Sequence, residues 1–127
     1  WNRSQAENKM LQLIHQYEDD IELVLCNNDE MAMGAVDAYE DEGYSLEERP
    51  AFFGIDGLDG TLEAVKNDII QGTVFNDRQG QAKQIARLAT DLFKGNALSG
   101  YDFVNERYIF LPYQKVTISN VDTFMNR

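Results

Sequence analysis

Asn28, Asp56 and Asn76 each stand where a short apolar run gives out. Ile21 to Cys26 passes into Asn27, Asn28 and Asp29; Ala51 to Ile55 meets Asp56; Gly72 to Phe75 meets Asn76 and Asp77. A carboxamide both donates and accepts hydrogen bonds, as a hydroxyl does, whereas an ionised carboxylate only accepts. Such side chains gathered along one edge suit a small neutral molecule rich in hydroxyl groups, a sugar above all. The same residue types have a plainer use as turn formers and helix N-caps, and each of the three, taken singly, fits that use better. Their recurrence at three equivalent places favours a binding edge.

The elements that must carry this edge are legible around it. Each run is followed by a helix-like pattern, so the runs read as strands of βα units in a parallel sheet and the class as α/β. In such sheets ligands sit beyond the carboxyl ends of the strands. The spacing predicts strands over residues 21–26, 51–55 and 72–75, with helices over 4–17, 29–42, 59–70 and 78–94. In the first helix Ser4 and Glu7 fit a capping box, and Ala6, Met10, Leu13 and Tyr17 share a stripe. Asp29 and Glu30 fall in the first turn of the second, where the helix dipole favours acids. The fourth carries the stripe Ala82, Ile85, Ala86, Ala89, Leu92 and Phe93 and stops at Gly95. Residues 95–106 read as a loop. Arg107 to Ile118 reads as two extended pieces broken at Pro112, which cannot donate to a ladder, and a short helix follows Asn120.

Composition removes several kinds of partner. The 22 acidic against 11 basic residues leave a net charge of -11, and no basic cluster offsets it, which argues against nucleic acid and anionic membrane. One cysteine and one histidine make neither an internal disulfide nor a thiolate–imidazole zinc site. No acid–base pair, activated nucleophile or phosphate loop stands at a useful spacing, so no enzymatic activity is expected. At 127 residues the chain fits one modest domain. It starts at Trp1 without a secretion signal, which reads as a piece of a longer protein. Bland roles are expected elsewhere: Asn27 and Asp29 capping beside Asn28, Asp77 as an N-cap or hinge, Cys26, Met31 and Met33 as packing residues, and His15 on the surface.

Taken in order, the strings WNRSQAENKM, IELVLCNNDEMAMGAVDA, FFGIDGL and GTVFNDRQGQAK and a late PY resemble the C-terminal part of bacterial galactose/glucose-binding proteins. These are type I periplasmic solute-binding proteins of ABC sugar transport. NNDEMAMGA is shared with lactose-repressor-type regulators, so the alternative is the effector-binding domain of such a regulator; TVFND followed by QAK is more specific to the sugar receptors. The resemblance implies two lobes joined by three crossovers and closing on a sugar. Residues 1–76 and 113–127 would belong to the second lobe, and 77–112 would supply hinge crossovers with a helix and strand of the first. Trp1 would stack on a pyranose face, whose C–H bonds an indole covers at little entropic cost. Asn28, Asp56 and Asn76 would hold hydroxyls, and the loss of one such partner in a desolvated cleft would cost about 1.5–3 kcal/mol. Glu22 matches a glutamate of the family's calcium site, but the main calcium loop has no counterpart here, so that site would be incomplete and no cofactor is required for binding. The implied ligand is galactose or glucose. The implied partners are an ABC permease and a chemotaxis or sensor protein, and the location is extracytoplasmic, in a periplasm or lipid-anchored at the outer face of the membrane. Because part of the chain would belong to another lobe, its helix and strand would have to pack back onto this sheet, pair with a second copy in a homodimer or swapped dimer, or hang loosely.

Overall fold

The apolar runs become parallel strands. In the computed structural model, which describes residues 1–125, β1 (Leu23–Leu25), β2 (Ala51–Asp56) and β3 (Gly72–Phe75) lie side by side in that order. β4 (Gln114–Val116) adds antiparallel to β3. The register pairs Leu25 with Phe53 and Asp56 with Phe75, so β2 and β3 finish level at their carboxyl ends. Two units make up the chain: the first comprises Trp1–Phe75 and resumes at Gln114, and the second is Asn76–Tyr113. Residues 126 and 127, assigned above to the second lobe, lie outside the described residues.

In the first unit, α1 (Arg3–Tyr17), α2 (Asp29–Asp41), α3 (Asp59–Lys66) and α5 (Asp122–Met125) accompany the sheet. Met10, Ile14, Tyr39, Phe52, Val65 and Val116 are among the buried residues of the core between helices and sheet. Helices α1 and α2 cross closely because residue 34 is glycine: a Cβ there would collide with the carbonyl oxygen of Arg3. The same approach brings the Arg3 guanidinium onto Asp37 in a two-pronged pair at 2.6 and 2.7 Å. Along β2, Phe52 and Gly54 are buried while Phe53 and Ile55 alternate with them, the period expected of a strand. That other face is open, with Leu25 73 % exposed. Leu25, Phe53, Ile55 and Val74 help line an apolar hollow of about 430 Å³ upon it.

The structure corrects several expectations at element ends. Helix α1 begins one residue early, so Asn2, in extended backbone, caps it by accepting from the Gln5 N–H at 3.0 Å, and Ser4 lies inside the helix. Ile14 is buried on its inner face and Tyr17 is exposed. Helix α3 stops at Lys66, because the chain turns at Asp68 (φ 58°) and drops Ile70 into the core. Residues 107–111 form no strand. Asn105 and Glu106, both at positive φ, fold the chain back on itself, leaving a lone bridge between Val104 and Tyr108.

In the second unit α4 (Arg78–Lys94) has the bounds expected and ends on Gly95 at φ 67°. The Asp91 carboxylate accepts from the Tyr101 hydroxyl at 2.6 Å and from the Asn96 amide at 2.8 Å, and Arg87 lies over the Tyr101 ring. These contacts tie the following loop to the helix. The apolar stripe of α4 is largely uncovered: Ile85 is 69 % and Phe93 92 % exposed. Amphipathic periodicity sets which residues share a face, but a covering layer has to come from elsewhere.

Tyr39 is buried edge-on between Tyr44 and Phe52, with ring centroids 5.1 and 5.6 Å away. Its hydroxyl has no hydrogen-bond partner among the described residues. A buried unpaired hydroxyl is a cost to the folded state. Tyr39→Phe is therefore expected to maintain or raise stability in urea denaturation, by up to about 1 kcal/mol; a loss of that size would show that the hydroxyl is paired.

Candidate functional site

Asn28 is the last residue before α2, in extended backbone, and its side-chain oxygen accepts from the Met31 N–H at 3.0 Å. It is therefore the helix N-cap itself, a correction to the expectation that its neighbours do the capping. The cap occupies one lone pair of the oxygen, which leaves the NH2 donor and the oxygen's second lone pair for a ligand. Asn28 is only 9 % exposed, which limits that offer to a partner approaching along the strand ends.

Asp56 closes β2 with φ 126°, a region that residues with a Cβ rarely occupy. Its half-buried carboxylate has no hydrogen-bond partner among the described residues. The next residue, Gly57 at φ 70°, admits no side chain, because a Cβ there would press against Phe75. The chain turns sharply at this point and holds Asp56 in a conformation it would not choose, a condition that concentrates at functional sites.

Between these two lies Asp29, the first residue of α2 and fully buried. One carboxylate oxygen accepts from the Thr73 hydroxyl of β3 at 2.6 Å, and the other from the Leu58 N–H, just beyond β2, at 2.8 Å. Burial pushes the carboxyl above its ordinary range, while hydrogen bonds from Thr73, Leu58 and Gly57 oppose the shift. Gly54 accommodates this group, since a Cβ on residue 54 would overlap the Asp29 carboxylate. The sequence placed Asp29 in the first turn of α2, as a partner of the helix dipole and a capping residue, and did not show that it is buried. The signal that could have corrected this was the glycine inside β2, which marks a close approach within a strand.

The remaining candidates are dispersed. Asn76 follows β3 directly as the first residue of the second unit, and its side-chain oxygen accepts from the Gln81 amide. Asp77 caps α4 by accepting from the Gly80 N–H at 2.8 Å, as expected. Trp1 is 82 % exposed beside a hollow of about 270 Å³ that Leu25, Cys26 and Met31 also line, and that neither Asn28 nor Asp56 reaches. Glu22 is exposed just ahead of β1, at the opposite end of the sheet from Asn28. Among the described residues no group of three or more His, Cys, Asp or Glu is placed to hold a metal. Glu22 alone falls far short of the about six to eight oxygens that calcium takes. The structure thus brings Asn28 and Asp56 to one edge, joined through Asp29, and does not bring Trp1 or Glu22 to it.

Parallel βα units with polar side chains at their strand ends are the frame of a binding domain. The periplasmic binding protein domain family matches residues 1–97, and the chain belongs to that family. It is 31 % identical to the D-galactose/methyl-galactoside binding periplasmic protein of Haemophilus influenzae, over 98 % of this chain and 38 % of the relative. It is 32 % identical to a putative rhizopine-binding protein of Rhizobium meliloti, over all of this chain and 38 % of the relative. Among solved structures, an ABC transporter solute binding protein of Bacillus halodurans with bound myo-inositol is 31 % identical and superposes with a TM-score of 0.82, over 98 % of this chain and 40 % of that one. The chain spans well under half the length of these relatives.

The pH dependence of Asp29 follows from its raised value. A carboxyl held above its unfolded value stabilises the fold fully below that unfolded value, near 3.8, and the contribution is lost as pH rises through the folded value. Asp29→Asn does not titrate. The stability of the unmodified chain relative to Asp29→Asn should therefore fall as pH rises through the acidic range; a gap that stays constant or widens would contradict the raised value.

Proposed function

We propose that the chain is the ligand-binding part of an extracytoplasmic receptor that passes a cyclic polyol, a monosaccharide or a cyclitol, to an ABC permease. The observation that carries this reading is the edge formed by Asn28 and Asp56: a donor and an acceptor at adjacent parallel strand ends, one of them backbone-strained, in a chain of the periplasmic binding protein family. The relatives' named ligands, a galactoside, a rhizopine and myo-inositol, belong to one chemical kind as far as two of them state it: compact rings with neighbouring hydroxyls. Galactose and glucose are the first candidates for this chain.

In this reading the Asp56 carboxylate accepts from hydroxyls through charge-assisted bonds and the Asn28 NH2 donates to one. The Trp1 indole, which stands away from that edge here, is proposed to cover a ring face only on the strength of the family resemblance, and would have to move to do so. Asn76 is proposed for a further hydroxyl from its place after β3. The first unit corresponds to the second lobe of a two-lobed receptor, and Asn76–Tyr113 to its crossovers with elements of the first lobe, so closure would be a hinge motion. The family is periplasmic, which places the chain outside the cytoplasm, and no helix among the described residues is long and apolar enough to cross a membrane. The relatives are solute-binding proteins rather than enzymes or regulators, so the regulator reading is not favoured. Calcium is proposed only for the full-length protein, where Glu22 would be one ligand beside a loop that lies outside this chain.

Trp1 is the only tryptophan, so its fluorescence reports on sugar titration. Galactose, glucose and myo-inositol should include at least one saturating ligand, with affinity weaker than micromolar for this chain. Asp56→Ala and Asn28→Ala should each weaken that binding by about tenfold or more. A flat response to a broad panel of monosaccharides and cyclitols, checked by calorimetry, would remove the receptor reading.

A further inference from the structure

We propose that Asp29 is the positioning residue of the binding edge: its buried carboxylate fixes the loop after β2 to the starts of α2 and β3, and thereby sets where Asn28 and Asp56 present their polar groups. The proposal rests on the receptor reading for the identity of the ligand but on geometry alone for the positioning. Asp29 follows Asn28 in sequence, so anchoring its side chain fixes the cap residue beside it. The Leu58 N–H that it holds at 2.8 Å lies two residues beyond Asp56, and the Gly57 N–H is a further donor. The third strand enters through the Thr73 hydroxyl at 2.6 Å. The carboxylate at the start of α2 thus gathers backbone amides from beyond β2 and a side-chain hydroxyl from β3, and β2 passes close enough to require Gly54.

The positive φ of Asp56 gives this arrangement its consequence. A backbone in a disfavoured region persists only where its surroundings hold it. What holds it here, on the ligand side of β2, is the glycine at 57 packed on Phe75 and the tether from Leu58 to Asp29. Releasing the tether lets residues 56–58 relax, and the Asp56 carboxylate moves off the edge. A buried acid that served stability alone would lower stability when removed without changing the edge in the molecules that remain folded.

The test compares Asp29→Ala, Asp29→Asn and Thr73→Val with the unmodified chain. Asparagine can keep both contacts by donating to Thr73 and accepting from Leu58, so it serves as the conservative rescue. Under conditions where each variant is folded, galactose and myo-inositol titrations followed by amide NMR should show Asp29→Ala weakened about tenfold or more, Thr73→Val weakened several-fold, and Asp29→Asn nearly unchanged. Hydrogen exchange is read in the same samples at Leu58 and at Val65, a core reference within α3. Faster exchange at Leu58 relative to Val65 in Thr73→Val, with Asp29→Asn spared, supports positioning. Equal acceleration at both sites, or unchanged affinity in Asp29→Ala, overturns it. If Asp29→Ala does not fold, Thr73→Val and Asp29→Asn decide between the same outcomes. If the unmodified chain binds no sugar, the receptor reading fails while the exchange comparison still decides the positioning claim.

Discussion

A carboxylate shut away from water, with no cation against it, is tolerated only when donors surround it. Asp29 meets that requirement by drawing donors from separate parts of the chain, the Thr73 hydroxyl and the amides beyond β2. Much of the first unit is arranged around this demand. Gly54 leaves the space, Thr73 places a hydroxyl within an otherwise apolar strand, and Gly57 lets the chain turn back over Phe75 to present the Leu58 amide. The polar edge follows from these constraints, since Asn28 and Asp56 are immediate neighbours of the residues that satisfy the buried group.

The two faces of the sheet have different standing. One is packed against helices and holds a core of interlocking aromatic and aliphatic side chains, Tyr39 and Phe52 among them. The other leaves Leu25, Phe53 and Ile55 around an open apolar hollow. The uncovered stripe of α4 in the second unit is of the same kind, with Ile85 and Phe93 facing solvent. Parallel sheets are ordinarily covered on both faces. Here the polar side chains of the strand ends are held by backbone and buried polar groups without help from the open face.

Periodicity and turn chemistry carried the reading of the elements a long way. The three parallel strands, the α4 bounds and the Asp77 cap were all readable, because alternation, helical spacing and capping are local properties of sequence. The errors came where a local signal competed with packing. Ser4 offered a capping box, but the helix started one residue earlier and Asn2 took the role. The pattern of α3 ran on to Ile70, yet the chain turned at Asp68 to bury that residue. Arg107 to Leu111 had strand-like composition and no edge to pair with, so it folded on itself. The resemblance to sugar receptors was carried by strings that the family comparison bears out.

By itself the sequence determined that strand ends would carry Asn28, Asp56 and Asn76, because apolar runs stopping on Asn or Asp state both the strand and its end. It also determined a strongly acidic balance, 22 acidic against 11 basic residues. Only the tertiary structure decided which acid was buried. Asp29 and Asp56 look alike in sequence, and the difference arises from where β2 and β3 place Gly54, Thr73 and the Leu58 amide. Burial and hydrogen bonding depend on neighbours distant in the chain, and no local pattern encodes them.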